Sequence, residues 1–124
     1  MAWTVTTPEH GAMAGNGFIL NGVETSDASA CEILKAAPAA GLSIFIDQLT
    51  VSIDTARTVT IGEGEAVAGT LDTALIGPVP FAANQTIKWD FSRVGGMKLT
   101  AATLLAVDTS GAGALCVFIT GRVE

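Results

Sequence analysis

The chain has 124 residues, a net charge of −6 and a mean hydropathy of +0.52, with only 18 Asp, Glu, Lys or Arg. The length sets one domain, able to bury a core without disulfides or metals. The six basic residues (Lys35, Arg57, Lys88, Arg93, Lys98, Arg122) are scattered and there is no Tyr, so the basic cluster or aromatic platform of a nucleic-acid binder is missing.

Taken in chain order, residues 1–29 stand apart. Trp3, Val5, Pro8, Met13, Phe18, Ile19 and Leu20 are separated by Gly11, Gly15, Gly17 and Gly22. The stretch is too apolar for a solvated tail and too glycine-rich for a helix. Two readings compete: an edge segment lying on its own domain, or an arm reaching onto a neighbouring subunit. Trp3 has a matching pair of readings, as an anchor in a partner's pocket or as packing on its own domain.

From about residue 30 onward the pattern has period two. Strands are expected at roughly 30–36, 42–53, 57–62, 69–76, 85–91, 96–100, 103–108 and 113–123. Leu42, Ile44 and Ile46 lie on one parity, and Leu49, Val51 and Ile53 on the other, so a β-bulge is expected at Asp47-Gln48. Gly62-Glu-Gly64 reads as a turn, and Gly77-Pro78 with Pro80 as the end of a strand. Ile87, Trp89 and Phe91 share a core-facing parity. Asp108 to Gly113 has hairpin-loop chemistry, and in the last strand Leu115, Val117 and Ile119 alternate with Cys116 and Phe118. Eight short strands with no helical pattern indicate an all-β protein, an antiparallel eight-stranded β-sandwich of jelly-roll type over residues 30–124.

Catalytic and metal chemistry find little to work with. The chain has one histidine, His10, outside the strand region, whereas cupin-type metal centres use two or three. A Ser/His/Asp group would have to recruit His10, and no Gly-x-Ser-x-Gly elbow is present. Twelve acids single out no carboxylate pair, and the acids near Gly62–Glu65 lack the spacing of a calcium loop. The expectation is no enzyme, no cofactor and no metal. Cys31 and Cys116 match no zinc or redox spacing and read as buried thiols. If Cys31 opens the first jelly-roll strand and Cys116 the last, the two are neighbouring thiols in one sheet. The N-terminus lacks the basic start and apolar run of a signal peptide, and no tract is long enough to span a bilayer, so synthesis in a cytoplasm and no membrane contact are expected.

Charge is the strongest signal. A folded 12.6 kDa chain exposes roughly 6,000 Å², which leaves each charged residue about 340 Å² to keep wet, against roughly 200 Å² at ordinary composition. Coverage by other chains resolves this, and points to an assembly subunit.

The rhythm of Ile33-Leu34-Lys35-Ala36, Leu42–Ile46, Leu49–Ser52, the glycine-flanked Gly62–Gly64, Leu104–Ser110 and Leu115–Gly121 resembles small β-sandwich proteins of tailed bacteriophages, in particular capsid decoration (cement) proteins and head-fibre domains. The likeness covers residues 33–121 and carries no fixed functional residues. It implies a virion protein, a homotrimer on the capsid exterior that bridges major capsid proteins at local three-fold positions. Residues 1–29 resemble the arms by which some decoration proteins grip the shell. The alternative is a receptor- or carbohydrate-binding fibre head, which needs exposed aromatic or acidic groups on loops such as Phe81–Asn84 or Asp108–Gly113.

Overall fold

The computed structural model describes residues 4–6, 17–26, 31–67 and 70–124. Among them are ten strands: β1 (Thr4–Thr6), β2 (Gly17–Ser26), β3 (Glu32–Lys35), β4 (Ile44–Ile53), β5 (Arg57–Val67), β6 (Thr70–Phe81), β7 (Thr86–Asp90), β8 (Met97–Lys98), β9 (Leu105–Thr109) and β10 (Gly113–Val123), with one 3₁₀ turn at Ser92–Val94. β8 is two residues long, so nine strands have three residues or more.

Two antiparallel sheets form a sandwich. One runs β1-β2-β10-β4-β7, with β8 also beside β4; the other runs β3-β9-β5-β6. Apart from the β5–β6 hairpin and the short β7–β8 step, the chain crosses from one sheet to the other at each connection from β2 to β10. First and last strands of the set, β2 and β10, are neighbours. This interleaving of β2-β10-β4-β7 with β3-β9-β5-β6 is the double Greek key of a jelly roll.

Alternation builds the core. Leu20, Ile44, Ile46, Leu49, Val51, Leu115, Val117 and Ile119 point inward from the larger sheet, and Leu34, Val59, Ile61, Leu105 and Val107 from the smaller. Each is almost fully buried, and burying such a side chain contributes about 1.5–3 kcal/mol. Trp89 is half-buried and packs against this core, as its parity indicates.

The bulge is where the parity change places it. Thr120 faces Gln48 and Gly121 faces Ile46, leaving Asp47 without an opposite residue. The extra residue lets Ile44 and Ile46 point inward together with Leu49, Val51 and Ile53; without it one of the two sets would face outward. The Asp47 carbonyl accepts from Phe91 N–H at 2.7 Å.

Three expectations are corrected. Residues 17–26 are an inner strand paired with β1 and β10, so the domain begins before residue 30, and Phe18 and Leu20 are core residues at 3% and 0% exposure. A run holding Gly17 and Gly22 hides the period-two signal there. Gly62–Gly64 is no turn: β5 continues to Val67, with Gly62 opposite Ala74 and Glu63 opposite Thr73. A Cβ on Gly62 would lie 2.5 Å from the Thr73 carbonyl oxygen, so glycine serves close strand approach there. Finally, β6 passes through Gly77, Pro78 and Pro80 to Phe81. It lies at a sheet edge, where a missing N–H is tolerated.

Candidate interaction surface

Period two that sends Leu115, Val117 and Ile119 into the core sends Cys116, Phe118 and Thr120 outward. Strand register then assembles them into rows across the outer face of the larger sheet. Asn21, Phe118, Thr50 and Lys88 form one row; Cys116, Ser52 and Thr86 the next; Ile19, Thr120, Gln48 and Asp90 the third. Phe118 is 41% exposed, a large aromatic at the middle of this face. Around it on β2, β10 and β4, Ile19, Asn21, Gln48, Thr50, Ser52, Cys116 and Thr120 carry no charge.

Charges border this centre on three sides. Below, Arg122 and Lys98 flank Phe45, with the guanidinium carbon 4.4 Å and the ammonium nitrogen 5.8 Å from the ring centre. Arg122 also donates to Asp47 Oδ1 at 3.0 Å, Glu124 Oε1 at 2.8 Å and the Gly95 carbonyl at 2.8 Å. Along one side lie Lys88 and Asp90 of the edge strand β7. Ser92 donates to Asp90 through its hydroxyl at 2.6 Å and its N–H at 2.9 Å, which holds that carboxyl below the usual range.

The upper end is built on a buried cation. Arg57, with its side chain 2% exposed, donates to the Ala114 carbonyl at 2.8 Å, the Thr55 carbonyl at 3.0 Å and Asp54 Oδ1 at 3.2 Å. This ties the β4–β5 turn to the start of β10. The Ala114 N–H, and then Arg57, hold the Asp54 carboxyl below the ordinary carboxylate range. Between Ser52, Ile53, Asp54, Asn84, Ala114 and Cys116 lies a shallow depression of about 210 Å³, smaller than the roughly 300–1,000 Å³ of ordinary ligand sites.

The other sheet differs. Ile33 is 44% exposed on β3, but an ionisable group sits close by. Asp108 is partly buried, and desolvation raises its carboxyl above the ordinary value. Next to it, Cys31 donates to Glu65 Oε2 at 3.8 Å, and burial, then Glu65 and Asp108, push the thiol up. That thiol is a poor nucleophile at neutral pH. On β5, Glu63 faces inward and accepts from the Thr100 N–H at 2.6 Å and hydroxyl at 2.7 Å, anchoring the segment after β8.

Of the residues expected in an arm, Phe18 and Leu20 belong to the core and Ile19 to the outer face. Val5 lies in β1, opposite Leu20. Trp3, Pro8 and Met13 lie outside the described residues, as does His10. Cys31 and Cys116 are not neighbours in one sheet: Cys31 directly precedes β3 in the smaller sheet, and Cys116 is on β10 in the larger. The expectation rested on taking β3 as the first jelly-roll strand, whereas β2 fills that place. Phe81 is 4% exposed, so the Phe81–Asn84 loop offers no aromatic platform for a sugar. Phe118 was legible as an outward residue from its parity, but only strand order reveals its uncharged neighbours. Among the described residues, no three His, Cys, Asp or Glu side chains converge as a metal site.

No protein family matches the chain, and no curated protein matches it by sequence. Among solved structures, it is similar to a chain of the cyanophage Pam1 capsid asymmetric unit, at 15% identity and a TM-score of 0.46, over 94% of this chain and 91% of that one.

Proposed function

We propose that this chain is a structural protein of a phage virion: a trimeric decoration protein that binds the outside of the capsid and stabilises the mature lattice through contacts with the major capsid protein. The observation that carries the reading is the uncharged sheet face around exposed Phe118, on a molecule short of charge everywhere. An accessible surface of 6215 Å² shared among 18 charged residues is roughly 345 Å² each. Two of those charges, Arg57 and Glu63, are buried and wet very little of it. A surface of this kind is stable in water when other chains cover it.

The jelly roll suits the role, since the architecture recurs in viral shells. Its edges resist uncontrolled strand addition: β3 has four residues, β7 presents Lys88, and β6 carries Pro78 and Pro80. Contacts therefore fall to faces, which select partners by shape. Capsid expansion exposes new positions on a shell, and a ligand that binds only the expanded lattice stabilises it by mass action. Residues 1–16, with Trp3, Val5, Pro8 and Met13, serve in this reading as the segment that grips the shell. The net charge of −6 keeps the free protein from aggregating before it attaches.

The test is co-sedimentation with empty heads assembled from the major capsid protein of the same phage, in unexpanded and expanded forms. The reading expects saturable binding to expanded heads and raised thermal stability of the decorated shell. Binding to neither form contradicts it.

A further inference from the structure

We infer that β1 is a releasable strap. It lies on the edge of β2 in the free chain and leaves that edge when the chain binds a shell, which frees the apolar residues of the N-terminal segment for the contact. This rests on the decoration reading above and names the step by which residues 1–16 come to grip.

The first observation is how little holds β1. It has three residues, and its ladder pairs Thr4 with Asn21, Val5 with Leu20 and Thr6 with Ile19. It ends the larger sheet, with no strand beyond it among the described residues. On its other side β2 is paired with β10 along all ten of its residues. The net gain from one backbone hydrogen bond in water is about as large as the cost of fixing one residue's backbone. Three residues of pairing therefore come close to balance. β2 keeps its place without them, because β10 holds it and Phe18 and Leu20 root it in the core. A unit attached in this way opens locally while the rest of the fold stays closed.

The tether is the second. Ten residues, 7–16, join β1 to β2, where antiparallel neighbours need only about two to five. A short hairpin keeps its strand at high local concentration, and the cost of closing a loop rises with its length. Fully extended, a tether of this length carries β1 about 33 Å from Gly17.

Parity is the third. Residues opposite each other in an antiparallel ladder share a face of the sheet. Val5 stands opposite Leu20, a core residue at 0% exposure, so the docked register assigns Val5 to the core side. Trp3 has the same parity in the sequence. Docking thus turns the apolar parity of the strap away from a shell, and release makes it available. A shell that binds this parity shifts the equilibrium by its preference for the released form, and near-balanced docking sets a low threshold for it. In the free chain the docked strap also covers part of the β2 edge against strand addition.

The experiment locks the strap. Thr4→Cys with Asn21→Cys places two thiols at opposite ladder positions. Cys116→Ser accompanies them, because Cys116 lies two residues from Phe118, the β10 partner of Asn21. The oxidised chain, with both thiols consumed and a native far-UV circular dichroism spectrum, should bind expanded heads about tenfold or more weakly than the same chain reduced. Equal binding by the two forms would show that β1 works in place and would overturn the strap, with the decoration reading intact. Heads bound by no form of the chain, wild type included, overturn the decoration reading and the strap with it. Hydrogen exchange on the free wild-type protein adds a readout that needs no heads. Amides of residues 4–6 should exchange roughly a hundredfold or more faster than those of Val117–Ile119, and equal protection overturns the strap. If the cysteine pair fails to oxidise or loses the native spectrum, Thr6→Cys with Ile19→Cys in the same background replaces it, with the same outcomes.

Discussion

Arg122 Nη1 donates to Asp47 Oδ1 at 3.0 Å across the one place where β4 and β10 fall out of step. Asp47 is the unmatched residue of the bulge, and its side chain is held by the strand it fails to pair with. The same guanidinium stacks on Phe45 and reaches Glu124 and the Gly95 carbonyl. A bulge that lets five β4 side chains face the core is thus fastened from outside by one residue.

Replacing Arg122 with Ala should destabilise the fold by more than the loss of an exposed ion pair alone, because a cation–π contact and a carbonyl partner go with it. Asp47→Ala should cost less than 1 kcal/mol. Urea unfolding of both single variants and the double variant measures the coupling, and equal costs for the two singles would show that stacking and the Gly95 contact contribute nothing.

Gly121 should not tolerate a methyl group. A Cβ there would run into the Phe45 carbonyl oxygen and lie 3.0 Å from the Phe18 ring. Gly121→Ala should cost about 3 kcal/mol, the upper end for overpacking. Adding Phe18→Leu should not restore stability, since the backbone oxygen still blocks the site. Thermal denaturation of the single and double variants checks this, and full rescue would place the crowding on the ring instead.

Two carboxylates should respond to pH with opposite sign. Asp54 is held below its ordinary value by the Ala114 N–H and Arg57. Its contribution is therefore present above the unfolded value near 3.8 and is lost as pH falls through the folded value. Asp54→Asn should lower the melting temperature at neutral pH, with the difference vanishing in strong acid. Asp108 is raised by burial, so its ionisation opposes folding as pH rises above 3.8. Asp108→Asn should raise the melting temperature at neutral pH and lose that advantage in acid. Melting curves from pH 2 to pH 8 read both, and parallel offsets at every pH would reject the electrostatic account.

Truncation should separate fold from attachment. Removing residues 1–16 leaves β2 whole, so the sandwich should fold while binding to expanded heads weakens. Removing residues 1–20 takes Phe18 and Leu20 from the core, at about 2–5 kcal/mol each, and should leave an unfolded chain. Circular dichroism and co-sedimentation of the two truncations test this. Undiminished head binding by the shorter truncation would reject the gripping segment.

How much was legible depended on where alternation was unbroken. The β4 parity change located the bulge because apolar residues flank it on both sides. In β2, Phe18 and Leu20 alternate with Ile19, which is itself apolar, and Gly22 interrupts the run, so period two disappears and an inner strand reads as an edge segment or an arm. At Gly62 and Gly64 the residues that commonly make turns instead serve close approach and bending within a strand, a distinction that depends on the partner strand. The face around Phe118 was half visible. Parity along β10 exposes Phe118, but Asn21 and Thr50 become its neighbours only through long-range pairing with β2 and β4.

On the reading proposed above, this chain works as an assembly of its own copies, and sedimentation equilibrium of the purified wild-type protein reads that assembly without any partner present. The account predicts a single species at three times 12.6 kDa that persists on dilution through the micromolar range. A species of one chain mass at every concentration would contradict it.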